Sequence, residues 1–230
     1  MSLNTKPSLL SVRDVSNVYI SRSLGLFGKK EEKQVLKCVN LEMQMGEIFG
    51  LTGKSGCGKT TLARCILGLI DYSGDILIDG QKYHHASQAQ MIFQDPGASL
   101  NPIKKIGWLM EEPLIIHRIG TALEREKKIN KMLLRVGLDS SYKTRFPHEL
   151  SGGQKQRVCI ARALILEPKL LIADEAISSL DASTGVQILN LFKKLNKSIN
   201  LGILFISHNK KAVDYLCDRI TVMEKGKISG

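Results

Sequence analysis

Residues 47–69 read EIFGLTGKSGCGKTTLARCILGL. The apolar run EIFGL at 47–51 predicts a short strand, and Thr60–Leu69 predict a helix. Between them, residues 53–60 (GKSGCGKT) match G-x-x-x-x-G-K-[ST] at Gly53, Gly58, Lys59 and Thr60. Glycines in such a loop let the backbone curl until its N–H groups face a phosphate. The helix that follows adds the positive end of its dipole. Lys59 is placed to reach the β- and γ-phosphates of a nucleotide, and the Thr60 hydroxyl to ligate Mg²⁺. Lys54, Ser55, Gly56, Cys57 and Thr61 complete the stretch as candidate nucleotide contacts. A chance glycine-rich turn would lack the strand before it and the helix after it.

Downstream, residues 169–175 read KLLIADE. An apolar run without alternation suits a central parallel strand, covered on both faces. Asp174 and Glu175 end it, and ligands in open α/β sheets gather at the carboxyl ends of strands. Asp174 is suited to hold Mg²⁺ through water, and Glu175 to polarise an attacking water as general base. An acidic pair at a helix start can also serve only the helix dipole. The phosphate loop upstream favours the catalytic reading.

Further strands are predicted at 8–20, 35–45, 75–79, 90–94 and 202–206, with a hairpin over 218–229 around Gly226. Residues 21–34 read as a loop, and 152–166 and 183–196 as helices. From about Asn101 to Pro147 the pattern turns helical and more charged, as a separate subdomain would. Strands alternating with helices predict an α/β sheet with right-handed crossovers.

The 230 residues fit one large domain or two small ones, and are long enough for a real core. Lys and Arg number 33 against 22 Asp and Glu, a charge of +11. That balance fits nucleic acid, an anionic membrane surface or a phosphate-rich ligand, but the basic residues form no long block. The five cysteines include no C-x-x-C pair, so neither a zinc ribbon nor a thioredoxin motif is indicated. The odd count and the lack of a signal peptide predict a reducing cytosol. No apolar run approaches the roughly 20 residues that span a bilayer, so any work at a membrane needs another chain to cross it.

Six ordered motifs give the chain a family resemblance. Leu150-Ser151-Gly152-Gly153-Gln154, continuing KQRVCIARAL, resembles the signature of ABC ATPases. Gln94 in IFQDP resembles the family's Q-loop glutamine, Ser178-Ser179-Leu180-Asp181 its D-loop, and His208 in ISHN its switch histidine. Tyr19 stands where the family has an aromatic that stacks on adenine. The phosphate loop and the Asp174-Glu175 strand complete the set. The resemblance implies a P-loop NTPase of ABC-ATPase type: a mixed, mostly parallel sheet core with an antiparallel β subdomain and a helical subdomain. It implies a single ATP-binding domain over 1–230. Residues 1–100 and 150–230 would form the core and β subdomain, and about 101–149 the helical subdomain.

By that resemblance, Lys59, Gln94, Glu175 and His208 are catalytic, and Thr60, Gln94 and Asp174 hold the metal. Nucleotide contacts come from Tyr19, residues 53–61, Gln94, Ser151–Gln154 and Asp181. A serine and free N–H groups at a helix N-terminus form an anion-binding device, and in ABC ATPases it closes over the nucleotide held by the partner. Implied ligands are ATP and Mg²⁺. Implied partners are integral membrane permease subunits, a second ATP-binding subunit in a head-to-tail ATP sandwich, identical or different, and indirectly an extracellular solute-binding protein. Nucleic acid is not expected. The place of work would be the cytoplasmic face of the cell membrane, as a peripheral subunit. The other reading is a soluble ABC-type ATPase with no transport role.

FQDPGASLNP and the nearby EEPLIIH resemble the peptide/nickel importer branch. Lys54 before SGCGK, and Ala176 where most of the superfamily has proline, lean toward the nickel members over the peptide ones. The end at Gly230 leans the same way, and lacks the cysteine-containing tail from which an iron–sulfur site would be built. Phe93, Leu100, Trp108, Leu114 and Ile115 are candidates for apolar contact with the permease, or for packing the helical subdomain.

Overall fold

The computed structural model describes residues 8–22, 30–82 and 87–229. Strands β3 (Ile48–Thr52), β5 (Ala89–Ile92), β6 (Leu170–Asp174), β7 (Gly202–Ile206), β8 (Arg219–Glu224) and β9 (Lys227–Ser229) form one sheet. Its order is β5-β6-β7-β3-β8-β9, parallel except for the β8–β9 hairpin. Strands β1 (Ser8–Arg22), β2 (Lys30–Gln44) and β4 (Ser73–Ile78) form a second, antiparallel sheet in the order β2-β1-β4.

The continuous apolar strands follow from cover on both faces. Along β6, Leu171 and Ala173 join one buried cluster, while Leu170 and Ile172 join the other. Along β7, Ile203 and Phe205 alternate in the same way with Leu204 and Ile206. The first cluster lies under α3 (Ile106–Ile116), α4 (Ala122–Arg135), α5 (Gly152–Leu164), α6 (Ala182–Ile199) and α7 (Lys210–Leu216). The second joins the parallel sheet to the antiparallel one and to α1 (Lys59–Ile66). A strand buried on two sides needs no polar alternation, so β6 and β7 carry none.

Between residues 96 and 149 lie the single turn α2 (Pro96–Ser99), α3, α4 and two 3₁₀ turns, Ser140–Thr144 and Pro147–Glu149. Thr121 and Glu124 form a reciprocal capping box that starts α4, each satisfying the other's backbone N–H. No helix among the described residues is long and apolar enough to cross a membrane.

Two local expectations are corrected. Residues 21–22 and 30–34, expected in a loop, are strand: Arg22 pairs with Lys30, Lys33 with Tyr19 and Gln34 with Val18 in the β1–β2 ladder. That end of the ladder is exposed around Tyr19 and Lys33, so its backbone pairing needs no apolar alternation to mark it. Residues 23–29, the rest of the expected loop, lie outside the described residues. The short helix α7 was not anticipated. Its seven residues open on two lysines, and its start rests on Asn209, whose side chain accepts from the Ala212 N–H.

Candidate functional site

Four chain segments end at one edge of the parallel sheet. The phosphate loop leaves β3, Gln94 follows β5, Asp174-Glu175 close β6, and Ser207-His208 follow β7. Because these strands are parallel, their carboxyl ends converge there, where α/β sheets place ligands. They enclose a cleft of about 440 Å³ lined by Val35, Ser55, Gly56, Gly58, Lys59, Thr60, Thr61, Gln94, Asp174, Glu175 and His208.

The loop is shaped by its glycines and by its lysine. Gly53 has φ +146, and a Cβ there would lie 2.2 Å from the Met223 carbonyl oxygen, so only glycine fits. Lys59 is buried, and its Nζ donates to the Gly53 carbonyl at 2.7 Å and the Lys54 carbonyl at 3.1 Å. The ammonium thus braces the curl of the loop. The Cys57 carbonyl accepts from Gly226 N–H at 3.0 Å, tying the loop to the β8–β9 turn.

Thr60 Oγ1 donates to Asp174 Oδ2 at 2.7 Å. The other oxygen, Oδ1, is buried with no partner. Burial is the main force raising the Asp174 pKa, with Glu175 adding to it and the Thr60 hydrogen bond opposing it. A carboxylate with one desolvated, unpartnered oxygen beside a threonine hydroxyl fits a hard divalent cation through oxygen or water. No group of three or more acidic, histidine or cysteine side chains among the described residues could hold a metal alone.

Glu175 has φ +51, a left-handed conformation that costs a non-glycine residue energy. Its N–H donates to Ile206 O at 2.9 Å, while its carbonyl accepts from Ser178 N–H at 3.1 Å and Ser178 Oγ at 2.9 Å. Held so, its Oε1 meets His208 Nδ1 at 2.8 Å. The Glu175 and Asp174 carboxylates, Lys59, Thr60 and His208 therefore share one cavity.

Other expected residues lie elsewhere. Gly53 and Lys54 line an adjoining hollow with His208, Lys210 and Ile220. Cys57 is buried beneath the loop. Tyr19 is half-exposed on β1, opposite Lys33, and does not line the cleft; Val35, from the same hairpin, does. Val35 and the Ser178 brace on Glu175 escaped the sequence reading, since both depend on tertiary placement.

Ser151, Gly152, Gly153 and Gln154 start α5 and do not line the cleft. Gln154 N–H donates to Ser151 Oγ at 3.3 Å, Ser151 N–H donates to Gln154 Oε1 at 3.0 Å, and Gln154 Nε2 donates to the Tyr142 hydroxyl at 2.9 Å. Asp181 also lies outside the cleft, capping α6 through the Thr184 N–H at 2.9 Å.

A family model described as ABC transporter matches residues 36–178. Oligopeptide transport ATP-binding protein AppF of Bacillus subtilis is 41% identical, over 99% of this chain and 73% of that one. AmiF of Streptococcus pneumoniae, described in the same words, is 45% identical over 88% and 70%. Glutathione import ATP-binding protein GsiA of Pectobacterium atrosepticum is 45% identical over 83% of this chain but only 32% of its own length. Among solved structures, cbiO1 from Clostridium perfringens, part of the complex cbiONQ, superposes with TM-score 0.83 at 28% identity. That match covers 98% of this chain and 88% of the other. A dimeric ATP-binding cassette in a post-hydrolysis state, bound to ADP and Pi, gives 0.81 at 29%, covering 96% and 97%. The chain belongs to the ABC transporter family and is one of its ATP-binding, ATP-hydrolysing subunits.

Proposed function

We propose that this chain energises an ABC importer for peptides, binding and hydrolysing ATP in the cleft between Lys59 and Glu175. The observation that carries the reading is the convergence of Lys59, Thr60, Gln94, Asp174, Glu175 and His208 on one cavity. The relatives named above are described by oligopeptide transport or glutathione import, so the lean toward nickel gives way to peptide.

Lys59, the loop N–H groups and Thr61 bind the phosphates. Thr60, Gln94 and Asp174 would hold Mg²⁺, which would supply charge neutralisation at the phosphate oxygens. Glu175 accepts a proton from the attacking water, and His208 orients Glu175. Residues 1–230 work as one ATP-binding domain, with about 101–149 as a helical arm. Ser151, Gly152, Gly153, Gln154 and Asp181, outside their own chain's cleft, serve the cleft of a second ATP-binding subunit set head to tail. The dimeric state of the ADP- and Pi-bound relative supports that arrangement. Membrane permease subunits meet the region around residues 94–117, where Trp108, Ile115 and the preceding Phe93 leave apolar surface exposed, and a solute-binding protein acts through them. The subunit works peripherally at the cytoplasmic face of the membrane.

The test is purification from gently solubilised native membranes, with mass spectrometry of what accompanies the chain. Integral membrane chains, and ATPase activity stimulated by a peptide-loaded binding protein, are expected. Recovery of soluble partners alone would overturn the importer reading.

A further inference from the structure

The signature glycines are not equivalent. Around Gly152 there is ordinary room, the nearest contact of an added Cβ being Leu180 Cδ2 at 3.5 Å. At Gly153 an added Cβ would meet Thr184 Cγ2 at 2.5 Å. Gly153 sits in the first turn of α5 without a positive φ, so its backbone does not demand glycine. Alanine is the better helix former at such a position. The demand for glycine comes from the neighbour.

Thr184 is itself fixed. It lies in the first turn of α6, and its N–H donates to Asp181 Oδ1, which also accepts from Ser183 Oγ at 2.7 Å. Its β-branched side chain has few χ1 choices in a helix. Farther along the same two helices, Arg157 reaches Gln187 Oε1 at 3.3 Å. The start of the signature helix therefore rests on the start of α6.

We propose that Thr184 is a positioning residue. Its methyl group sets how far the Ser151–Gly153 N–H groups project, and Gly153 must be glycine to seat against that methyl, independently of any nucleotide contact. The proposal rests on the reading that this segment serves a bound nucleotide. It ties the D-loop aspartate, through the α6 cap, to the placement of the signature.

The test is a set of full-chain variants assayed for kcat and KM of ATP hydrolysis, with melting temperature as a folding control. Gly153→Ala should lower kcat about tenfold or more, the scale of coupling between touching residues, with KM little changed because the Lys59 cleft is untouched. Thr184→Ser removes only the offending methyl and alone should cost about twofold. Gly153→Ala with Thr184→Ser should recover to within about threefold of the parent, as relief of a pairwise clash requires. Gly153→Ala with Thr184→Val keeps the methyl and should stay low. A folded Gly153→Ala,Thr184→Ser protein no better than Gly153→Ala would overturn the proposal, as would full turnover in Gly153→Ala alone. Gly152→Asp separates the underlying reading: it puts a negative charge at a roomy position facing the nucleotide. Unchanged turnover in that variant would sink the signature's role itself.

Discussion

Glu175 Oε1 accepts two hydrogen bonds from one residue, the His208 ring Nδ1 at 2.8 Å and the His208 backbone N–H at 3.2 Å. A carboxylate oxygen only accepts, so Nδ1 carries the proton whenever Glu175 is ionised. The histidine ring is largely open to solvent while the Glu175 side chain is 15% exposed. The outer residue thus orients the inner one. The strained φ of Glu175 and the double hold of Ser178 on its carbonyl fix the other end.

His208→Ala leaves the backbone N–H bond and removes the ring. Hydrolysis should fall by about a hundredfold, the lower part of the range for a positioned proton-transfer group. ATP binding should hold, because Lys59 and the loop are unaffected. Steady-state kinetics beside equilibrium titration of a fluorescent ATP analogue check this.

Thr60→Val removes the hydroxyl that donates to Asp174 and keeps the branched shape. It should raise the Mg²⁺ concentration needed for half-maximal ATPase by about tenfold or more, the usual cost of disturbing a metal site's support. Nucleotide binding without Mg²⁺ should change much less. A Mg²⁺ titration of activity, repeated for binding in chelator, separates the two.

Asp181 caps α6, and hydrogen bonds from Thr184 and Ser183 hold its carboxyl well below the usual range. A pKa depressed in the folded state gives stability that is present above the unfolded value and lost as pH falls through the folded one. The melting temperature of Asp181→Ala should therefore lie below that of the parent at neutral pH. The gap should close as pH drops below about 4, where the unfolded carboxyl protonates. Melting curves across that range test it.

What the sequence disclosed was what local chemistry determines. The phosphate loop, KLLIADE and LSGGQ each carry their conformation in a few adjacent residues, and Lys59, Asp174 and Ser151 stand where those patterns place them. The two-faced burial of β6 and β7 was legible because it removes alternation from the sequence. Tertiary placement was not legible. Val35 reaches the cleft because the β1–β2 hairpin folds over the loop, and Tyr19 on the same hairpin does not. The polar end of that hairpin looked like a loop, and α7 was too short and too cationic at its start to show a helical period. The closeness of Thr184, whose Cγ2 would lie 2.5 Å from a Cβ added at Gly153, leaves no mark beyond a glycine that the signature already explains.

The central claim is that Glu175 is the base that activates water in the Lys59 cleft. It is tested most directly by Glu175→Gln, which keeps shape and volume but removes the proton acceptor. The account predicts ATP binding near that of the parent, hydrolysis lower by about a hundredfold or more as loss of a general base implies, and an ATP-dependent dimer that persists on size exclusion. Normal ATP turnover in that variant would contradict it.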